Sequence, residues 1–220
     1  MKKSVLLVLA AGLVISACNK SQTNSNNSKK EVTSQKTDSI AQKNDSTAQK
    51  SGDHRPTKGP VKVSFNTPVI NDYGSEHYFP KAAVQPDPGM DYKVVVLIIH
   101  NDAKAEHNEG LDHIARLINL LHDGGVKPNH IHIVGVMTGP ATAVAMNDST
   151  YKKMYTVINP NDSLMTKLTR VGHVKLYVCA QAVSFMGYGP VYLNSNVKMA
   201  LSALTTVTTY ELKGYALMQF

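Results

Sequence analysis

Only two cysteines occur in the 220 residues, Cys18 and Cys179. That is too few for the disulfide framework of a small secreted scaffold. The apolar run from Val5 to Ile15 falls short of the roughly 20 residues that a bilayer-spanning helix needs. There is no internal repeat, no G-x-S-x-G nucleophile elbow and no G-x-x-x-x-G-K-S/T phosphate loop, so hydrolase and nucleotide-driven readings have no support. Gly187-Tyr188-Gly189-Pro190 is too short for a dinucleotide fingerprint and reads as a turn or as the rim of a pocket. The histidines are plentiful, among them His100, His107, His113, His122, His130, His132 and His173, but none shows H-x-x-x-H spacing. They read as surface or hydrogen-bonded groups, and no metal or other cofactor is expected.

What is present begins with Met1-Lys2-Lys3, the short apolar run, and Ile15-Ser16-Ala17-Cys18. A positive start, a short apolar stretch and small residues before a cut make residues 1–17 a signal peptide. The cysteine that follows resembles the bacterial lipobox, which implies a Cys18 diacylated on sulfur and seated in a lipid bilayer. Several acyl chains give stable attachment where one gives only marginal binding. The expected location is the bacterial cell envelope, with the chain held outside the cytoplasm.

Residues 18–60 are dominated by Ser, Thr, Asn, Gln, Lys and Asp, with Val32 and Ile40 as the only large aliphatics after the anchor. Such a segment cannot bury enough apolar surface to offset its ordering entropy and is expected to be a disordered tether. A polar coil of this length spans roughly 35 Å between its ends. The tether also explains the charge. Its eight cationic residues against Glu31, Asp38, Asp45 and Asp53 leave a surplus of four, and Lys2 and Lys3 leave with the signal. Of the formal +7 only about +1 then belongs to the remainder, which argues against nucleic acid as a partner.

About 160 residues follow from Val61, enough for one domain. Residues 61–92 read as an irregular lead-in whose Val61-Lys62-Val63-Ser64-Phe65 alternation predicts a short edge strand. Between Lys93 and Phe220 strands alternate with helices. The β-branched run Val94–Ile99 predicts a strand buried on both faces. Leu111, Ile114, Ala115, Ile118 and Leu121 recur at helical spacing until Gly124-Gly125. Strands are expected again at Ile131–Met137, Val174–Val178 and Gly214–Phe220. Helices are expected over Ala141–Ala145, for about nine residues after Asp162, over Gln181–Met186, and from about Ser195 to Leu212. The fold class is α/β, a three-layer α/β/α arrangement of flavodoxin-like architecture around a mostly parallel sheet.

Ligands of open α/β sheets bind outside the carboxyl ends of the strands. Three segments reach that edge: His100-Asn101, Thr138-Gly139-Pro140 and Cys179-Ala180-Gln181. A cysteine that ends a strand and opens a helix faces amides that favour its thiolate. His100 would add to this if the first and third strands are neighbours, and Gln181 is a second geometric candidate. Position alone equally allows Cys179 to be an inert buried hydrophobe.

Val174 to Gln181 (VKLYVCAQ), Asn159-Pro160, Gly124-Gly125 and Gly214-Tyr215, taken together, resemble the DsrE/DsrF-like family from about Lys93 to the C-terminus. The resemblance implies a compact α/β domain that assembles as trimers or hexamers. It also implies a persulfide-carrying role for the residue matched by Cys179, with a sulfur donor or acceptor protein as partner. His100 and Gln181 have no counterpart in a family motif. Export and lipidation depart from the sulfur-relay members, whose partners are cytoplasmic. Two functions therefore stand side by side: sulfur handling through Cys179, and a non-catalytic oligomeric binding or assembly module.

Overall fold

The computed structural model describes residues 62–102 and 105–220. The signal peptide, Cys18 and the tether expected over residues 1–60 lie outside the described residues. Among the described residues, no helix is long and apolar enough to cross a membrane.

Five strands form one sheet: β1 (Tyr92–Ile98), β2 (Ile131–Met137), β3 (Lys175–Cys179), β4 (Val197–Ala200) and β5 (Ala216–Gln219). Their order is β4-β3-β2-β1-β5 and every neighbouring pair is parallel. The chain therefore steps outward from β1 to β4, then crosses the whole sheet to place β5 on the other side of β1. The α-helices between them are α1 (Glu109–Asp123), α2 (Asp148–Tyr155), α3 (Asp162–Arg170), α4 (Ala180–Phe185) and α5 (Ala203–Glu211).

The continuous apolar run of β1 is explained by its central position, because Val94, Val96 and Ile98 pack into one layer while Val95 and Leu97 pack into the other. The first layer is the larger. It receives Leu111, Ile114, Ala115 and Ile118 from α1 and Leu164, Met165 and Leu168 from α3, all buried. Burying each such side chain contributes about 1.5–3 kcal/mol. Helix α1 approaches so closely that a Cβ on Gly135 of β2 would meet Leu176 Cδ2 at 2.9 Å and Ile114 Cδ1 at 3.2 Å. Asn108 caps α1 by accepting from the Leu111 amide, and Gly125 at φ +85° turns the chain away after it. The second layer is smaller, with α5 and Ala182 of α4 packed against a cluster of Val95, Val134, Val136, Cys179 and Ala203.

Three local expectations change. Residues 62–65 form no strand: Val63 and Phe65 are exposed, so their alternation has no apolar face to bury. A single antiparallel bridge joins Asn66 to Glu76, and the segment between them lies as a strap on α1. Asn119 of α1 holds it, its Oδ1 accepting from the Val69 and Ile70 amides at 3.0 and 2.9 Å and its Nδ2 donating to the Tyr73 and Gly74 carbonyls at 3.0 Å. The contact is close enough that a Cβ on Gly74 would clash with the Arg116 backbone nitrogen.

Helix α2 was not anticipated, because its Asp-Ser-Thr-Tyr-Lys-Lys-Met-Tyr sequence buries only Thr150 and Tyr151 and leaves no stripe. The helix expected from Ser195 to Leu212 divides in two. Val197–Ala200 pairs with β3 as an edge strand, and α5 starts only at Ala203, where Ser202 Oγ accepts from the Thr205 amide.

Candidate functional site

Cys179 is the last residue of β3, paired across to Ala200 of β4, and α4 begins at the next residue. Because α5 follows β4 after only Leu201 and Ser202, the first turns of both helices come to the same sheet edge. Thr138, the residue after β2, arrives beside them with extended backbone, its amide bonded to the Ile98 carbonyl at 3.0 Å.

The consequence is a ring of donors around one sulfur. The Gln181 and Ala182 amides of α4, the Ala203 amide of α5 and the Thr138 hydroxyl all face the Cys179 thiol and favour its charged form. Burial pushes the thiol pKa up, and the amides of Ala182 and Ala203, the Thr138 hydroxyl and the Gln181 amide more than offset it, so the pKa lies below the ordinary thiol value. The sulfur is buried, at 5% exposure, yet it forms part of the wall of a groove of about 580 Å³. Leu97 and Ile99 from the β1 edge, Ala182 from α4, and Leu204 and Val207 from α5 supply most of the remaining lining.

The profile of the DsrE/DsrF-like family matches residues 92–220. The chain belongs to the DsrE/DsrF-like family. Among solved structures it is similar to a protein of unknown function from Methanobacterium thermoautotrophicum, at 20% identity over 59% of this chain and 100% of that one, with a TM-score of 0.46. It is also similar to the ychN protein from E. coli, at 15% identity over 59% of this chain and 99% of that one, with a TM-score of 0.44. No curated protein matches.

Within this DsrE/DsrF-like domain the three segments expected at the carboxyl edge are all there, and they contribute unequally. Strand β2 lies between β1 and β3, so the neighbour relation that His100 required does not hold. The His100 side chain is exposed and outside the groove wall, while its carbonyl accepts from Asn108 Nδ2 at 2.8 Å. Gln181 does line the groove, but its side chain is spent on the Leu201 carbonyl at 3.1 Å, and it reaches the sulfur through its backbone amide.

The contribution of α5 escaped sequence reasoning, because a helix placed from Ser195 onward hides its own start. The available signal was Ser202 itself, a residue type favoured at helix N-caps. At the opposite edge of the sheet, His130 Nδ1 sits 2.7 Å from Asp91 Oδ1, and His132 Nε2 sits 3.9 Å from the same oxygen. The hydrogen bond to His130 is the main reason the Asp91 carboxyl titrates below its usual value. Among the described residues no group of three or more His, Cys, Asp or Glu side chains is arranged to hold a metal ion.

Proposed function

We propose that this chain is an envelope-anchored DsrE-like protein that handles sulfane sulfur as a persulfide on Cys179, held to a lipid bilayer through acylated Cys18. Family membership supplies a sulfur-relay-type scaffold. The observation that carries the finer reading is the convergence of the Ala182, Ala203 and Gln181 amides and the Thr138 hydroxyl on the thiol. Donors fixed in this way stabilise the thiolate that attacks, and afterwards the charge of a bound persulfide, without reorganisation during the step. The lipobox-like Ile15-Ser16-Ala17-Cys18 supports the anchor, and a domain outside the cytoplasm follows from it.

The test uses the full chain with Cys18→Ser, in which Cys179 is the single thiol. Alkylation should follow a pH profile displaced below the unperturbed thiol pKa of about 8.5. Exposure to a polysulfide donor should add the mass of whole sulfur atoms at Cys179. A thiol that reacts only after unfolding overturns the reading. Cys18→Ser should also move the protein from the membrane to the soluble fraction.

A second reading, an oligomeric binding module, is favoured by apolar side chains left in solvent. Phe185 is 95% exposed and Val191 78%, and β5 presents Leu217 and Met218 on an edge strand. Large exposed apolar groups of this kind mark association surfaces. A homo-oligomer, trimer or hexamer, serves both readings and is checked by light scattering on the purified chain.

A further inference from the structure

The groove that exposes the sulfur has an uneven chemistry. Among the described residues none of its lining side chains other than the Cys179 thiol is ionisable. Its polar side chains are largely committed: Gln181 Nε2 donates to the Leu201 carbonyl at 3.1 Å, and Ser202 Oγ accepts from the Thr205 amide at 3.0 Å. The Thr138 hydroxyl and the helix amides face Sγ, Thr208 is a further polar residue of the lining, and the rest of the wall is aliphatic, continued outward by exposed Leu201 and Leu204. His132, His173 and Lys175 line a separate groove at the other ends of the strands. A ligand here finds stabilisation for negative charge at one point, the reacting sulfur, and none for a carboxylate or sulfonate elsewhere on its body.

We propose that the sulfur donor for Cys179 is an alkyl hydropersulfide, R–S–SH, whose R is aliphatic and carries no charge and which reacts in its protonated form, rather than thiosulfate or a peptide persulfide, whose bodies carry charge. The inference rests on the persulfide reading of Cys179. The thiolate Sγ attacks the outer sulfur of the donor and an Sγ–S bond forms. The donor's S–S bond breaks with its electron pair on the inner sulfur, and R–S⁻ leaves and takes a proton from water. Cys179 ends as the persulfide and the donor as a thiol. The aliphatic chain lies along Leu97, Ile99, Leu204 and Val207, where its burial favours binding.

The experiment uses the full Cys18→Ser chain with three probes: octyl hydropersulfide, glutathione persulfide and thiosulfate. The rate of sulfur addition to Cys179 is read by intact mass, each rate divided by that of the same chain unfolded in urea, which removes differences in intrinsic donor reactivity. The expected result is a normalised preference of about tenfold or more for the octyl donor. Leu204→Lys, at an exposed rim position, should narrow or reverse it. Equal or faster normalised rates with the charged donors overturn the donor class and leave the persulfide reading standing. Labelling of the unfolded chain by every probe and of the folded chain by none overturns both.

Discussion

The Glu76 carboxyl is buried beside that of Asp123, where the 67–76 strap meets the end of α1. Neither Glu76 oxygen has a nitrogen or hydroxyl donor, and the side chain is 2% exposed. Asp123 also faces His122 Nδ1 at 3.1 Å, so Glu76 is the one of the two carboxyls left without a hydrogen-bond donor.

Burial first, then the bond to Asp123 and its charge, raise the Glu76 pKa, while His77 opposes them. Stability from an acid whose folded pKa is raised is fully present below the unfolded value and is lost as pH rises through the folded one. Glu76→Gln keeps a donor at every pH. It should stabilise the domain at neutral pH by about 1 kcal/mol, roughly 2–4 °C in Tm, with the two proteins converging in acid. Thermal melts across that range decide it, and a variant less stable at pH 7 would show that the pair holds no proton.

Asn119→Ala should release the strap. It strands the Val69 and Ile70 amides and the Tyr73 and Gly74 carbonyls, for a loss of about 3 kcal/mol in denaturant titrations. Hydrogen exchange should accelerate at Val69 and Ile70 before it does in β1.

Thr138→Val keeps shape and removes the hydroxyl that donates to Sγ. A hydrogen bond to a charged group is worth about 1.5 kcal/mol or more, so the alkylation profile should move up by about one pH unit, and Thr138→Ser should restore it. An unmoved profile would assign the lowered pKa to the amides alone.

Ser202→Ala tests the same thiol from the α5 side. Losing the cap should cost about 1 kcal/mol of stability. It should also raise the thiol pKa, because the Ala203 amide is no longer held toward the sulfur. The joint change in melt and titration separates this residue from Thr138, whose replacement affects the titration alone.

Much of this was legible beforehand because the signals were local. The β1 run, the Leu111–Leu121 stripe and the Leu164, Met165 and Leu168 spacing each carry their own periodicity, and they correspond to β1, α1 and α3. The place of Cys179 at a strand-to-helix junction was likewise readable. What failed depended on partners distant in sequence. β4 is four residues long and is a strand because β3 pairs with it. The strap depends on Asn119, which looks like an ordinary polar residue on a helix. His100 turned on strand order, which no local pattern reveals.

The donors around Cys179 come from positions 138, 181, 182 and 203, and the last belongs to the helix whose connection completes the sheet. No partly folded chain has them all. Until β4 is paired and α5 has docked, Cys179 is an ordinary thiol, mostly protonated at neutral pH and slow to oxidise or cross-link. The lowering of its pKa is thus a product of completed folding, reached only when strands and helices distant in sequence have come together.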